Sequence, residues 1–261
     1  MQNLPIFKLM IKVSILGAGN VGYHLHAVLK NIEDVQIVQW YNRTNAPLEE
    51  YAGKTSTTNQ LSELKEADIY LISVSDDTIE SLSLQLGERN GVVAHTAGSV
   101  ALSVLKTHKN HGVFYPLQTF STQKSVDFAN IPLCLEANKP EGLALLEQLA
   151  VKMGGPTHLI DSEQRKALHI AAVFVNNFTN HLYAIGESIC QEHLVPFAVL
   201  QPLIAETADK IKSLSPLDAQ TGPALRNDRN TLDNHLSLLT QEAQKKLYTS
   251  LTKSIQQLHE K

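Results

Sequence analysis

Two features near the start of the chain could bind the phosphates of a nucleotide. The stretch Gly17, Ala18, Gly19, Asn20, Val21, Gly22 has the spacing G-x-G-x-x-G, and Arg43 follows the next apolar run. In such a turn the first glycine allows a tight bend, the second lets the backbone approach a pyrophosphate, and the third lets a helix pack closely on a strand. Unpaired N–H groups at the start of that helix favour bound anions. A glycine-rich turn without a ligand is the alternative explanation.

The end of the second apolar run discriminates between dinucleotides. An NAD site commonly has Asp or Glu there, which accepts a hydrogen bond from the ribose 2′-hydroxyl. This chain has Asn42, Arg43 and Thr44 at the corresponding positions. An arginine can pair with a 2′-phosphate through two N–H groups, and the threonine hydroxyl and asparagine amide can add donors. We therefore expect NADP rather than NAD, with an arginine solvated in a loop as the alternative.

Two later segments place polar residues at the ends of predicted strands. Val74, Ser75 and Asp76 follow one apolar run, and His95 and Thr96 end the next. Because ligands of open α/β sheets bind outside the carboxyl ends of the strands, we expect both segments to lie near the cofactor. Asp76 could instead cap the following helix. His95 could face the nicotinamide or bond to nearby backbone.

A polar stripe is predicted on one long apolar helix, residues 162–193, with Ser162 as its N-cap. On a continuous helix His169 and Asn176 lie close to one face, with Asn177 nearby. Polar side chains in apolar surroundings cost free energy unless they meet a partner, water or a ligand. These residues either form hydrogen bonds between helices or line a substrate site, with His169 as proton donor and Asn177 or Asn176 as an orienting residue.

A second polar cluster lies in the string TGPALRNDRNTLDNHL. The sequence predicts a helix with Pro223 in its first turn and Asp228, Thr231 and His235 on one face. Arg226 could bind a carboxylate or phosphate of a substrate, and Asp228 could form an ion pair with His235. A solvated helix face is the alternative.

The elements that must position these residues alternate between strands and helices as far as residue 161. Short apolar runs separated by helical patterns, with further helical patterns at about residues 101–108 and 140–153, predict βαβ units. They therefore predict an α/β, Rossmann-type doubly wound parallel sheet. The remaining chain is helical in pattern. We expect an NADP-binding domain at residues 1–161 and an all-helical domain at 162–261 for dimerisation and substrate binding. The predicted strands are residues 11–16, 35–41, 68–75, 91–96, 112–116, 131–137 and 157–161.

Composition excludes several classes of protein. A net charge of -4 without a long basic run argues against nucleic-acid binding. Cys134 and Cys190 lack the spacing of a metal site or disulfide framework, and no apolar run is long enough to span a membrane. With no signal-peptide pattern at the start, we expect a cytoplasmic protein without a metal. The apolar helix at 162–193 predicts a homodimer.

The motifs together resemble a known bacterial group, NADP oxidoreductases in which a Rossmann-like domain precedes a DUF2520 domain. The resemblance covers nearly the whole chain, and TGPALRNDRNTLDNHL is its most specific motif. It extends to pyrroline-5-carboxylate reductases, F420-dependent NADP reductases and 6-phosphogluconate dehydrogenase-type enzymes. It implies a dinucleotide at Gly17–Gly22 and Arg43. The polar residues of the helical domain that it matches are His169, Asn177, Arg226, Asp228 and His235. The strings that carry it are ILGAGNVGYHL, YNRT, VSDDTI, HTAGS, YPLQTFS, LHIAAVFVNNF and TGPALRNDRNTLDNHL.

The combined expectation is an NADP(H)-dependent oxidoreductase that exchanges a hydride with a small polar imine, carbonyl or hydroxyl compound at the interface of the two domains. His169, or else His235, would supply the proton. Two alternatives stay open: a non-catalytic NADP(H)-binding sensor or scaffold, and an F420-type deazaflavin:NADP reductase. The Lys-x-x-x-Asn arrangement of β-hydroxyacid dehydrogenases is missing, since Lys166 and Asn177 lie eleven residues apart. Their mechanism therefore cannot be transferred directly.

Overall fold

An eight-stranded sheet dominates the first part of the computed structural model, which describes residues 10–259 of the chain. The strand order is β3-β2-β1-β4-β5-β6-β7-β8. Every neighbouring pair is parallel except β6 and β7, which are antiparallel. The strands are β1 Ile11–Leu16, β2 Val35–Tyr41, β3 Thr57–Thr58, β4 Ile69–Ile72, β5 Val92–His95, β6 His111–Pro116, β7 Leu133–Ala137 and β8 Thr157–Leu159.

Helices connect several of these strands and make up most of the chain after the sheet. The α/β class, the mostly parallel sheet and the helical C-terminal part are therefore confirmed. The α-helices are α1 Asn20–Leu29, α2 Ile79–Leu86, α3 Pro140–Met153, α4 Ser162–Ala172, α5 Thr179–Glu192, α6 Gln201–Lys210, α7 Arg229–Leu238 and α8 Glu242–His259.

The strand order reverses between β1 and β4, and this reversal positions the candidate site. The chain runs outward from β1 to β2 and β3, then returns to β4 on the other side of β1. All four residues of β4 and all four of β5 are buried, as expected for strands covered on both faces. In such sheets a crevice opens at the carboxyl ends of the strands beside the reversal, and ligands bind there.

The connections between strands differ from prediction in two places. Between β2 and β4 the chain forms the short strand β3 and the 3-10 segments Ala46–Tyr51 and Leu61–Glu63 rather than an α-helix. This stretch contains a proline, a glycine and a run of threonines, which disfavour a helix interior. The helical pattern expected at residues 101–108 is only the 3-10 turn Leu102–Leu105.

The long helix predicted at residues 162–193 is interrupted. A π-helical segment, Val173–Phe178, separates α4 from α5. Thr179 Oγ1 donates to the carbonyl of Phe174, five residues earlier, at 3.3 Å. The segment is rich in β-branched and aromatic residues, which have only moderate helix propensity. The prediction of one continuous α-helix was therefore wrong, and because a wider turn changes the angle between successive side chains, its single polar stripe does not follow.

The start of α4 also differs by one residue from the prediction. Asp161, rather than Ser162, is the N-cap. Its carboxylate accepts from Gln164 N at 2.8 Å, and Gln164 Oε1 accepts from Asp161 N at 3.0 Å. This reciprocal capping box satisfies two N–H groups at the helix terminus, and leaves the Ser162 hydroxyl available to bond elsewhere.

The chain divides into two compact units, one ending at Val173 and the other beginning at Phe174. The helix α4 thus belongs by its contacts to the sheet-containing unit, although the sequence predicts a domain boundary at residue 161. In the second unit the Glu192 carboxylate accepts from Thr240 at 3.1 Å and Gln241 at 3.2 Å, tying the end of α5 to the start of α8. Within residues 10–259 no helix combines the length and apolarity needed to cross a membrane.

Candidate functional site

The glycine turn between β1 and α1 is fixed by buried contacts. Gly17 has φ 119°, and a Cβ at this position would lie 2.4 Å from the carbonyl oxygen of Ser73. The Gly17 carbonyl accepts from the buried Trp40 Nε1 at 2.8 Å and from Ser73 Oγ at 3.3 Å. Only glycine fits this backbone conformation and this separation from β4.

The other two glycines of the turn have different surroundings. A Cβ on Gly22 would lie 2.2 Å from the Gly17 carbonyl oxygen, so Gly22 is required for packing α1 against the turn. A Cβ on Gly19 would meet no atom of the described residues within 4 Å. Gly19 is the N-cap of α1 and leaves open space in front of the first N–H groups of the helix.

A cavity of about 570 Å³ lies at this turn and extends along the carboxyl ends of β2, β4 and β5. Such a volume falls within the usual range of small-molecule sites. Of the residues predicted to contact the cofactor, all except Gly22 and His95 line it. These are Gly17, Ala18, Gly19, Asn20, Val21, Asn42, Arg43, Thr44, Val74, Ser75, Asp76 and Thr96.

Arg43 and Thr44 are exposed at one end of the cavity, whereas Asn42 has a structural contact. Asn42 Oδ1 accepts from Ala18 N at 3.1 Å, and its Nδ2 donates to the Thr44 carbonyl at 2.9 Å. The Asn42 amide thus links the glycine turn to the loop after β2. Both of its polar atoms bond to the protein, which the sequence-based role as a phosphate donor did not anticipate.

Asp76 bridges two strand ends at the other side of the cavity. Its carboxylate accepts from the Ser99 hydroxyl, which connects the loop after β4 to the loop after β5. Ser75, rather than Asp76, occupies the N-cap position of the 3-10 turn that follows. Hydrogen bonds from Ser75 and Thr78 hold the pKa of the neighbouring Asp77 carboxyl below its usual value.

His95 is fully buried beneath the cavity and does not line it. Its Nδ1 accepts from Ala97 N at 3.2 Å, so the structure places it in the backbone-bonded role. Burial, assisted by the nearby Arg165 charge, lowers the pKa of His95 to about 3. The imidazole is therefore neutral at physiological pH.

His169 contacts a tyrosine that no sequence pattern had indicated as a site residue. Tyr115, near the end of β6, is 9% exposed, and its Oη lies 3.2 Å from His169 Nδ1. Burial raises the pKa of Tyr115 to about 12, so its hydroxyl is protonated at neutral pH. The motif YPLQTFS contains this tyrosine, but no sequence pattern indicated that α4 packs beside β6.

A buried ion pair fixes α4 in this position. The Arg165 guanidinium is fully buried and donates to the Glu136 carboxylate on β7 and to the Val100 carbonyl at 2.6 Å. Ser162 Oγ donates to the same carboxylate at 2.9 Å. Since residues four apart lie on one helix face, Arg165 and His169 face the same side of α4, one turn apart. No sequence pattern indicated a role for Arg165 or Glu136 either.

The remaining predicted site residues lie in the second unit. Asn177 is exposed in the π-helical segment, and Arg226 is exposed in the turn before α7. Since α7 begins at Arg229, Pro223 precedes the helix rather than lying in its first turn.

Asp228 and His235 bond to partners within that unit. Asp228 is the N-cap of α7, accepting from Thr231 N at 3.2 Å and Thr231 Oγ1 at 2.8 Å, and these bonds lower the pKa of its carboxyl. His235 Nδ1 lies 2.8 Å from Tyr248 Oη on α8.

Comparison with known proteins places the chain in a family. Residues 131–255 match DUF2520, a domain of unknown function. The chain is also 39% identical to a Bacteroides fragilis protein assigned as an NADP oxidoreductase, over 95% of this chain and 98% of that one, with a TM-score of 0.88. The chain belongs to the DUF2520 family.

More distant solved structures share the fold of this DUF2520 protein. An imine reductase from Pseudomonas sp. is 11% identical, with 95% of this chain and 94% of that chain covered and a TM-score of 0.68. A reductive aminase from Aspergillus terreus, solved with NADPH and ethyl levulinate, is 12% identical, with the same coverages and TM-score. No curated protein matches the sequence.

Proposed function

We propose that this DUF2520 protein is an NADP(H)-dependent oxidoreductase that acts on a small polar imine or carbonyl compound. The observation that carries the proposal is the continuous cavity between the glycine turn and the exposed Arg43 and Thr44. A 39% identical relative is assigned as an NADP oxidoreductase, which supports the same cofactor for this chain.

The residues around the cavity fit a dinucleotide phosphate. The open space in front of Gly19 admits a pyrophosphate to the first N–H groups of α1, where the helix dipole favours an anion. The Arg43 guanidinium can form paired, charge-assisted hydrogen bonds to a 2′-phosphate, and the Thr44 hydroxyl can add another. When bound, the nicotinamide supplies the hydride; the protein supplies binding, orientation and a proton.

We assign the proton-donor role to His169, a half-buried imidazole in the sheet-containing unit. Its Nδ1 lies within hydrogen-bonding distance of Tyr115 Oη. Gly98, which packs against this pair, directly follows Thr96 and Ala97, which line the cavity. Asn177 as an orienting residue, Arg226 as the group that binds an anionic substrate, Asp228 as a further polar residue of the site and His235 as the alternative proton donor remain proposals for the second unit.

Deuterium transfer tests the activity. The protein would be incubated with NADPH deuterated at C4 and a panel of cyclic imines and small carbonyl compounds, followed by mass spectrometry of the products. We expect deuterium on the reduced carbon. A His169→Gln variant should lower kcat about 100-fold or more, the usual contribution of a general acid, with unchanged NADPH affinity.

The matched control is His158→Gln, which changes an exposed histidine on β8 and should leave kcat unchanged. A wild-type rate in His169→Gln would contradict the proton-donor assignment. Tight NADPH binding with no deuterated product across the panel would favour a non-catalytic sensor.

A further inference from the structure

The contact between Tyr115 and His169 joins two groups that can each donate and accept a proton. Tyr115 Oη lies 3.2 Å from His169 Nδ1, and the two rings meet edge to face with centroids 6.2 Å apart. Among the described residues, His169 Nδ1 is the hydrogen-bond partner of this hydroxyl. A buried hydroxyl without an acceptor is costly, so this bond fixes which ring nitrogen points towards the tyrosine.

Gly98 provides the space that the pair occupies. A Cβ at Gly98 would lie 2.6 Å from His169 Nδ1 and 2.9 Å from Tyr115 Oη, closer than any side chain allows. The backbone of Gly98 therefore packs directly against the hydrogen bond, two residues beyond the cavity-lining Thr96. Three elements enclose the Nδ1 side of the imidazole: the loop after β5, strand β6 and helix α4.

From this arrangement we infer that Tyr115 is a positioning residue for His169. It holds the imidazole with Nδ1 towards Oη and leaves Nε2 as the atom that exchanges a proton with the substrate. The inference rests on the proposed proton-donor role of His169.

A tyrosine hydroxyl suits this position because it can hold the ring in both of its charge states. In neutral His169 the hydroxyl donates to Nδ1, so the ring proton is on Nε2. In the imidazolium both nitrogens are protonated, and Oη accepts from Nδ1. The raised pKa of Tyr115 keeps the hydroxyl proton in place throughout.

Each proton in the reduction can then be accounted for. As the hydride electron pair bonds to the substrate carbon, the π pair of the C=N or C=O bond moves to the heteroatom, which takes the Nε2 proton of the imidazolium. This step leaves His169 transiently neutral with its proton on Nδ1, which donates to Oη, whereas the resting neutral ring has its proton on Nε2. A proton from water returns to Nε2, and the ring has kept one orientation throughout.

Nitrogen NMR of the histidine side chains tests this inference without any activity assay. The wild-type protein, labelled with ¹⁵N-histidine, would be recorded at a pH where free histidine is neutral, and His169 assigned by its absence in His169→Gln. We expect a protonated, pyrrole-like Nε2 and an unprotonated Nδ1. A pyrrole-like Nδ1 in the neutral wild-type protein would overturn the inference, whether or not any variant folds.

Tyr115→Phe provides the second readout. Loss of the hydroxyl should move the ¹⁵N chemical shifts of both His169 ring nitrogens towards the averaged values of two exchanging tautomers. It should also lower kcat about tenfold with little change in KM. Tyr70→Phe is the matched control, because Tyr70 is also buried and its hydroxyl accepts from Ala67 N at 2.9 Å. It should leave the His169 resonances unchanged. Unchanged His169 resonances in Tyr115→Phe would also overturn the inference.

Failure of the proposed function gives a different pattern. A protein that does not bind NADPH can still show the expected tautomer, and the positioning contact would then stand without the oxidoreductase assignment. NADPH turnover combined with a pyrrole-like Nδ1 in the neutral enzyme would instead remove Tyr115 from the mechanism and keep the activity.

Discussion

Gly19 and Gly22 occupy the same turn for different physical reasons, cofactor access and packing. Alanine substitution at each position distinguishes these two roles. Gly19→Ala adds a methyl group to open space and should leave the free energy of unfolding within about 0.5 kcal/mol of wild type. The same methyl group blocks the approach of a pyrophosphate, so NADPH should bind at least about tenfold more weakly. Urea unfolding and calorimetric titration measure the two effects.

Gly22→Ala is the comparison variant. Its Cβ would overlap the Gly17 carbonyl oxygen, so we expect a loss of about 1–3 kcal/mol in the free energy of unfolding. If Gly19→Ala retained full NADPH affinity, the turn would not be the pyrophosphate site.

Single residues could be predicted where chemistry and spacing were both local. The glycine turn and Arg43 lie within a short stretch of chain, and the structure places them on one cavity. Tyr115 and Glu136 could not be predicted, because their roles depend on α4 packing beside β6 and β7. The contact of Asn42 with Ala18 likewise requires the register between two parallel strands.

At the level of elements, buried histidines at the end of β5 and within α1 make stability depend on pH. The pKa of His95 is lowered to about 3 and that of His26, stacked on Trp40, to about 4, in both cases mainly by burial. Below the ordinary histidine pKa of about 6.5 the unfolded chain binds protons that the folded chain does not. The free energy of unfolding should therefore be independent of these groups at higher pH and fall as the pH drops below about 6.5.

The expected slope is about 1.4 kcal/mol per pH unit for each histidine once the pH is well below 6.5. Urea unfolding of wild type and His95→Asn between roughly pH 7 and pH 5 measures this slope. The slope of the variant should be smaller by the contribution of one histidine. His158→Gln, at an exposed site, should retain the wild-type slope. An unchanged slope in His95→Asn would show that this histidine is not held neutral by burial.

Elements were predictable wherever the pattern was long and regular. Strands β1 and β2 and helix α3 have the predicted bounds, since continuous apolar runs and a proline start with a glycine end are local signals. Strand β3 has only two residues and pairs at the sheet edge, so no pattern could reveal it. The π-helical segment also escaped prediction, because helical periodicity assumes a constant turn.

At the scale of the whole molecule, the second unit exposes many large apolar side chains, and we expect a homodimer that buries them. Phe174 is 63% exposed, Val175 74%, Val199 66% and Leu203 63%. Several large apolar side chains exposed on one unit are typical of an association surface. Light scattering coupled to size exclusion should give twice the mass of one chain at micromolar concentration.

A charge placed in this surface should separate the subunits. Leu203→Glu should give the mass of one chain, whereas Leu84→Glu, at a residue 61% exposed on α2, should retain the wild-type mass. A wild-type protein with the mass of one chain at micromolar concentration would contradict the dimer.

The architecture as a whole followed from the sequence, because alternation of strands and helices restricts the possible topologies to a few. The sequence did not reveal that α4 belongs to the sheet-containing unit, because this depends on the buried contact between Arg165 and Glu136.

The most direct test of the central claim is a calorimetric titration of the protein with NADPH and, separately, with NADH. We expect NADPH to bind at least about tenfold more tightly, the effect of one charge-assisted hydrogen bond to the 2′-phosphate. Arg43→Ala should remove this preference and leave NADH affinity unchanged, while Lys54→Ala, which removes an exposed charge outside the cavity, should retain it. Equal affinity for both nucleotides, or binding of neither, would contradict the assignment of this cavity to NADP(H).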